Sequence, residues 1–438
     1  MDREDSAASK TMEARKMIAE ILKTLCKLAL ILPMWVFGLN LDEVIRLALQ
    51  NSDVIKEQEF STKQSKANLS AQYGKFAPKI GLQYTITQNT RVNDSIYTIN
   101  LSNIQMSYNL FNGLKDLYGF KHYKDLYQAQ QHMYEASKQD IILLAKSLYI
   151  QILQAKDNLA ISTESIRLLE LQKSQAEQFY LQGVKAKSDL LSVEVMLANA
   201  KVTQSNDKNT LHYATLALEK LIMQEVKEQE IEEIRNHDLE RLHFEREKLM
   251  GLMLASRSEY LYMQEILSSI ENQKKSLYGN FLPMLDVSFS RRWYSNDVSV
   301  LNRFGTNLQS QARLSVSWNF FNGLSDMYAI ESKRYEALAT QSRLSDLKKE
   351  MALALDKALD DLAIAKEQYE VSQKAIVLAE ENYRIVQNRY QQNIETSREL
   401  LNVEVALNQA RLHFNQSQHR INLALANLER IVQNPLLF

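Results

Sequence analysis

The chain carries one long sequence pattern twice, at positions about 210 residues apart. Residues 110–116 read Leu-Phe-Asn-Gly-Leu-Lys-Asp, and residues 320–326 read Phe-Phe-Asn-Gly-Leu-Ser-Asp. At the same shift, the segments that begin at Tyr180 and Tyr390 both continue into Leu-Leu-x-Val-Glu-Val. Solenoid repeats recur every 20–50 residues or so, and a repeat of this length therefore indicates two copies of a whole domain.

Glycine and proline are scarce, and they fall at equivalent places in the two copies. The 438 residues include only ten glycines and four prolines, against usual frequencies of about 7 % and about 5 %. Because both residues interrupt regular structure, their positions predict equal element boundaries in both copies, with long uninterrupted helices between them. The equivalent pairs are Gly74 with Gly279, Pro78 with Pro283, and Gly113 with Gly323.

The repeat predicts how the chain is divided. We place repeat 1 at residues 39–245 and repeat 2 at residues 246–438, each with a helix, a strand hairpin, a long helix, a tip turn and a return helix. Residues 1–38 are predicted to be an export signal peptide, since lysines precede an apolar run of about ten residues. An amphipathic helix is the alternative for that segment. Its Cys26 is the only cysteine, and a mature chain without cysteine suits an oxidising compartment.

Two regions alternate between apolar and polar residues, at 79–111 and 284–321. Period-two alternation over about ten residues is typical of the strands of a membrane β-barrel. Trp293 and Trp318 lie near strand ends, where an aromatic girdle meets the membrane surface. Four strands cannot close a barrel, because single-chain barrels begin at about eight, and several protomers would have to pool their strands. A soluble four-stranded sheet packed on helices is the alternative.

Long helices are predicted over residues 114–182 and 324–392, where glycine and proline are almost absent. At 1.5 Å per residue each helix is about 100 Å long, which exceeds any single domain core. Their leucine and alanine stripes indicate coiled-coil pairing with the return helices. Tip turns are predicted at 183–187 and 393–397, between the long and return helices.

The residues at these tips suit a chain reversal. Gly183 and Asn393 occupy equivalent positions, and both residue types tolerate the left-handed conformation that follows a helix. Ser188 and Ser397 are predicted as N-caps of the return helices, because serine oxygens accept hydrogen bonds from first-turn amides.

Charge and motif content argue against several classes of function. A net charge of −1 without a basic stripe predicts no nucleic-acid partner. The seven histidines form neither i,i+4 pairs nor an HExxH motif, and the chain has no phosphate-binding glycine loop or nucleophile elbow. We therefore predict that the protein is not an enzyme and has no catalytic residue, cofactor or metal site.

Several short motifs mark the ends of the predicted elements. They are Leu41-Asp42-Glu43-Val44, the Phe-x-Pro segments at Phe76 and Phe281, the Phe-Asn-Gly segments at Phe111 and Phe321, and the tip from Tyr180 to Leu191. In this order and twice over, the pattern resembles the outer-membrane efflux factors of the TolC type, across about residues 39–438.

That resemblance implies a mainly α fold with a small β part. Each two-repeat protomer would give four strands to a trimeric 12-stranded outer-membrane β-barrel, and its coiled-coil helices to a periplasmic α-barrel tunnel. The homotrimer would be a passive duct in outer-membrane lipid, for efflux or for type I secretion. Its partners would be a periplasmic adaptor (membrane fusion) protein and an inner-membrane RND, ABC or MFS transporter.

The resemblance also places functional residues at the tips. The adaptor-docking tips would be Gly183, Val184, Lys185, Ala186, Asn393, Ile394, Glu395 and Thr396. The periplasmic gate would be Tyr390, Glu395, Glu399 and Asn402. Glu395 replaces the arginine of the family and Asn402 replaces a second acid, so we expect an acidic constriction with a different latch. Three copies of Glu399 would attract cations; the alternative is a solvated carboxylate that stabilises a helix start.

A soluble periplasmic coiled-coil protein, with a structural or chaperone role, is the alternative function. It would retain the helices and the export signal but leave the paired alternating segments unexplained. The cargo of a duct does not follow from the residues, because drug, metal-ion and protein export share one conduit fold.

Overall fold

The structure is a computed structural model, which describes residues 39–90, 96–227, 231–234, 244–295 and 308–434. The predicted signal peptide at 1–38 lies outside the described residues. In repeat 1 the elements are α1 (Leu41–Asn51), α2 (Asp53–Tyr73), β1 (Lys79–Thr90), β2 (Ile96–Phe111), α3 (Lys115–Leu181) and α4 (Lys187–Ile222). In repeat 2 they are α5 (Arg246–Ser256), α6 (Ser258–Tyr278), β3 (Met284–Ser295), β4 (Leu308–Ser317), α7 (Ser325–Gln391) and α8 (Ser397–Val432).

The four strands form one antiparallel sheet in the order β1-β2-β3-β4. The central pair β2–β3 joins the two repeats, with a bulge between Asn109 and Phe111. Both edge strands, β1 and β4, lack a further strand partner in the part of the chain that the structure describes. An open sheet of this kind presents two rows of backbone donors and acceptors that can pair with another chain.

Strand β4 is shorter than the alternating pattern predicts. The alternation extends to residue 321, whereas β4 ends at Ser317. Directly afterwards the indole Nε1 of Trp318 donates a hydrogen bond to the carbonyl oxygen of Phe281, at 3.0 Å. Two consecutive left-handed residues, Gly323 and Leu324, then turn the chain into α7. The side-chain bond and this turn redirect the backbone before the sheet ladder can continue.

The helices form a layer in the order α4-α3-α8-α7. Helices α3 and α7 contain 67 residues each and are therefore about 100 Å long. Each repeat has its own apolar core. In repeat 1 it gathers around Tyr149 and Leu218, and in repeat 2 around Leu355 and Leu428. No helix of the described segments combines the length and apolarity needed to cross a membrane.

The seam between the repeats, where α3 packs on α8, is more polar than these cores. Buried or half-buried side chains bond across it at several levels along the layer. The pairs are Lys146 with Glu429, Asp157 with His419 at 2.9 Å, and Gln172 with Glu404 at 2.7 Å. Polar pairs of this kind fix the register of two helices, because a shift would leave buried groups unpaired.

A close backbone approach also joins the repeats where the sheet meets the helices. Gly113 has a φ of +72°, and a Cβ on either Gly113 or Gly279 would lie well inside 3.0 Å of the other residue's backbone. The equivalent residues, Gly323 and Gly74, have no other described atom within 4 Å of such a Cβ. The contact is thus made once within the protomer, and its two halves are left exposed at the protomer's edges.

Candidate channel wall and helical tips

The sheet has one apolar face, and that face is exposed. Register places Leu82, Ile104 and Arg291 side by side on it, next to the row Met106, Phe289. Leu82 is 76 % exposed, although burial of such a side chain is worth about 1.5–3 kcal/mol. A large apolar surface without protein cover indicates contact with lipid or another chain. The other members of this face with large exposed fractions are Ile80, Tyr84, Ile86, Val287, Leu314 and Val316.

The opposite face is polar and charged. Asp286, Arg292 and Arg313 lie on it, and Asn109 donates a hydrogen bond to the Asp286 carboxylate at 2.8 Å. A sheet with one apolar and one charged face matches the wall of a water-filled barrel, whose outer surface meets lipid.

The two tryptophans lie at opposite ends of the sheet. Trp293 is near the hairpin end of β3, and Trp318 follows β4 at the end that joins the helices. The Arg291 guanidinium lies 5.6 Å from the Trp293 ring centroid. The strand alternation gave no warning of this arginine on the apolar face. Stacked on an aromatic ring near a strand end, it suits the membrane interface, where the cost of a charge is small.

Both long helices end in the same hydrogen-bonded turn. The amides of Gly183 and Val184 donate to the carbonyls of Tyr180 and Phe179, each at 2.9 Å. In repeat 2 the amides of Asn393 and Ile394 donate in the same way to Tyr390 and Arg389. This pair of bonds is the Schellman motif, and it requires a left-handed residue, here Gly183 at φ +72° and Asn393 at φ +57°.

The serine N-caps that the sequence predicts are wrong. Helix α8 begins at Ser397, and its N-cap is Thr396, whose Oγ1 accepts from the Glu399 amide at 3.2 Å. Ser397 is instead buried, and its hydroxyl donates to the Tyr390 hydroxyl at 3.2 Å. Helix α4 begins at Lys187 with Ala186 as its N-cap, which has no side chain for capping. The turn bonds fix each helix start one or two residues before the serine.

Lys185 ties the two tips together. Its Nζ lies 3.7 Å from the Tyr390 ring centroid and donates to the carbonyl oxygen of Glu395 at 3.0 Å. The ring of Phe179 packs edge-on against Tyr390, with centroids 5.9 Å apart. Burial lowers the pKa of Lys185, and the nearby carboxylates of Asp189 and Glu395 act in the opposite direction. The sequence placed Lys185 among the docking residues and missed this contact, because its partners lie about 210 positions away.

The predicted gate residues are not equally accessible. Tyr390 is only 1 % exposed and lies in an apolar cluster, where burial raises the pKa of its hydroxyl. Glu395 is half-buried and its carboxylate is 3.5 Å from the Arg389 guanidinium. Glu399 and Asn402 are exposed on α8. Among the docking residues, Lys185 and Glu395 turn inward while the other six are exposed. The gate and docking roles stay predictions.

The outermost helices of the layer carry exposed apolar stripes. On α7 the stripe follows a heptad and consists of Ile364, Val371, Leu378 and Ile385. On α4 it consists of Leu191, Val195, Val202, Tyr213 and Leu216. Heptad stripes are the surfaces by which helices pair, so both edges of the layer are prepared for a further helix. Among the described side chains, no group of three or more His, Cys, Asp or Glu residues is placed to hold a metal ion.

A sheet with a bare apolar face, mounted on a layer of helices about 100 Å long, is the architecture of an outer-membrane channel protein. The sequence matches the family described as outer membrane efflux protein over residues 44–222 and 267–432, and the chain belongs to that family. The resemblance to TolC-type channels is therefore confirmed. The protein lies in the outer membrane, with its helical tunnel in the periplasm.

Solved structures share this fold at low identity. CusC, studied for its folding and transmembrane channel formation, is 13 % identical, with a TM-score of 0.79 over 90 % of this chain and 93 % of its own. The Vibrio cholerae outer membrane protein VceC is 14 % identical, with a TM-score of 0.77 over 90 % and 95 %. The Campylobacter jejuni outer membrane channel CmeC is 14 % identical, with a TM-score of 0.78 over 90 % and 85 %. No protein of curated function matches the chain significantly in sequence.

Proposed function

We propose that this chain is one protomer of a homotrimeric exit duct for tripartite efflux or type I secretion. A periplasmic adaptor would link the duct to an inner-membrane RND, ABC or MFS transporter, which supplies the energy. One observation carries the proposal: the sheet has an exposed apolar face and two edges without strand partners in the described chain. That combination is unfavourable in water and becomes favourable when copies join their edges within lipid.

The number of protomers follows from the width of the barrel. Two copies would pool eight strands, and an eight-stranded barrel is just filled by its own side chains. Three copies would pool twelve strands and leave an interior wide enough for water. The charged inner face, with Asp286, Arg292 and Arg313, requires such a hydrated interior.

The helices support the same ring. Within the protomer, the long helix of repeat 1 packs against the return helix of repeat 2, as α3 against α8. The equivalent contact between neighbouring protomers pairs α7 with α4, the two helices that carry exposed apolar stripes. In the same way the contact of Gly113 with Gly279 would recur as Gly323 against Gly74 of the next copy. Such head-to-tail contacts close into a ring when the rotation between copies is right.

The first test is the native mass of the full-length protein, extracted from the outer-membrane fraction in mild detergent. We expect three copies per particle, with a trimer that dissociates on heating. A monomer or dimer recovered from the soluble periplasmic fraction would contradict the duct and favour the soluble coiled-coil alternative.

Adaptor docking at the tips can be tested at Gly183. Its φ of +72° is strained for any β-branched residue, and the side chain would project from an exposed turn. Gly183→Val should therefore weaken adaptor-dependent export about tenfold while the trimer persists, a loss equivalent to about 1.4 kcal/mol. The matched control is Gly183→Asn, because asparagine occupies the equivalent left-handed position in repeat 2. Loss of the trimer in Gly183→Val would assign the residue to folding instead of docking.

The acidic constriction can be tested at Glu399. This carboxylate is exposed at the start of α8, and three copies near the channel axis would raise the local cation concentration. Glu399→Gln should lower the cation-to-anion permeability ratio of the channel in planar bilayers, measured from reversal potentials. Glu399→Asp keeps the charge and should keep the ratio. If Glu399→Gln retained full cation selectivity, the residue would lie outside the constriction.

A further inference from the structure

A cavity of about 250 Å³ lies in the helical layer, between α3, α4 and α8. Its lining combines hydrocarbon with uncharged and acidic oxygen-bearing side chains. The apolar part includes Ile161, Leu169, Met196, Ala200 and Leu412. The polar part includes Ser162, Ser165, Thr203, Asp207, Glu404 and Asn408. No lysine or arginine lines it, so the cavity is rich in acceptors and lacks a cation.

Two acceptor atoms on this lining are buried without a partner. Glu404 is only 1 % exposed; its Oε2 accepts from Gln172 Nε2 at 2.7 Å, whereas its Oε1 has no hydrogen-bond partner among the described residues. One turn along α8, Asn408 donates to the Ser165 hydroxyl at 2.9 Å, and its Oδ1 is likewise buried and unpaired within the described chain. A buried carboxylate oxygen without a donor is costly, and two such acceptors side by side call for a donor from outside.

The other repeat shows what normally occupies this place. Glu194 is the equivalent of Glu404, and its carboxylate pairs with Lys173 at 2.9 Å. At the position equivalent to Lys173, repeat 2 has Tyr383, a neutral residue whose hydroxyl accepts a 3.4 Å bond from Gln172. Repeat 2 has thus kept the carboxylate and lost the ammonium group that neutralises it.

We propose that this cavity binds a small primary ammonium compound with a compact apolar body. An ammonium group has three N–H donors, enough for Glu404 Oε1 and Asn408 Oδ1, and its charge neutralises the carboxylate. The apolar part of the lining would hold the hydrocarbon body. A divalent metal ion fits less well, because hard cations take six or more oxygen ligands, usually from several carboxylates.

Protonation competes with such a ligand. Burial raises the pKa of Glu404 to about 7, against the opposing effects of the Gln172 amide and the Ser165 hydroxyl. The other titratable or charged groups on the packed helices are Tyr383 on α7, Asp207 on α4, Arg167 on α3 and Arg411 on α8. Because an ammonium ion favours the ionised carboxylate, its affinity should rise as the pH passes upward through about 7.

The test is calorimetric titration of the full-length protein in detergent at pH 8, with benzylammonium as the probe. We expect saturable binding at one site per protomer. Benzyl alcohol, which lacks the charge, and benzyltrimethylammonium, which lacks the N–H donors, should bind at least about tenfold more weakly. Glu404→Gln preserves shape and should weaken benzylammonium binding by about tenfold or more, and the matched variant Glu194→Gln should bind like the parent.

Asn408→Ala gives an independent reading, since it removes the second acceptor and leaves the carboxylate in place. It should weaken binding severalfold at an unchanged native mass, which shows that the duct is intact. The proposal is overturned if benzylammonium does not saturate, or if benzyl alcohol or the Glu404→Gln protein binds equally well. An affinity that does not change between pH 6 and pH 8 would also exclude the Glu404 carboxylate as the ligand group.

Discussion

Gly279→Ala is expected to prevent the protomer from folding, whereas Gly74→Ala is expected to leave it folded but unable to form trimers. A Cβ on Gly279 would overlap the Gly113 carbonyl oxygen and lie 2.6 Å from Lys115 Cγ. The clashing oxygen belongs to the backbone of a left-handed turn, which cannot move aside as a flexible side chain can. Overpacking typically costs about 1–3 kcal/mol, and we expect the upper end of that range or more.

Gly74 is the equivalent residue in repeat 1, and a Cβ there meets no other described atom within 4 Å in the protomer. Its partner in the proposed ring is Gly323 of the next copy, so Gly74→Ala would introduce the clash only on assembly. Limited proteolysis reports protomer folding, and light scattering in detergent reports the copy number. Gly251→Ala is the matched control, because that glycine is likewise open but lies away from both junctions. A normal Gly74→Ala trimer would contradict the equivalence of the two contacts.

Much of this fold could be predicted from the sequence because its signals are local and repeated. The mainly α class with its four-stranded sheet is confirmed, and so are the family resemblance and the outer-membrane location. The apolar alternation of β1 and the absence of breakers in α7 extend over many residues, so single exceptions do not obscure them. Duplication adds to this, because a weak signal such as Gly74 is read twice, again at Gly279.

The parts that could not be predicted are pairings between distant positions. Lys185 and Tyr390 lie about 210 residues apart, and no local pattern indicates that an ammonium group of one tip covers the ring of the other. Whether Tyr390 lines a channel or a core likewise depends on packing, which leaves it 1 % exposed. For Glu404 a signal did exist, since repeat 1 pairs the equivalent glutamate with a lysine that repeat 2 lacks. Its meaning required the three-dimensional neighbours.

Truncation of the tip contact is the second change for which we expect a large effect. In Lys185→Ala the ammonium group over Tyr390 is lost, and the Glu395 carbonyl loses its donor. A cation–π contact and a charged hydrogen bond together give about 2 kcal/mol or more, but burial of the lysine offsets part of this, as its lowered pKa indicates. We therefore expect each protomer to lose about 1 kcal/mol of the interaction that holds the two tips together.

In a trimer whose tips open together, three such losses add to about 3 kcal/mol, which shifts the closed-to-open equilibrium roughly 100-fold towards open. Lys185→Ala should therefore raise single-channel conductance or open probability in planar bilayers, without a change in native mass. Lys187→Ala is the matched control, since that lysine is exposed two residues further on. If Lys185→Ala trimers conduct like the parent, the tips are held closed by other contacts. In that case the inward turn of Lys185 only shapes the docking surface, because the same contact would then stabilise the closed and open tips equally.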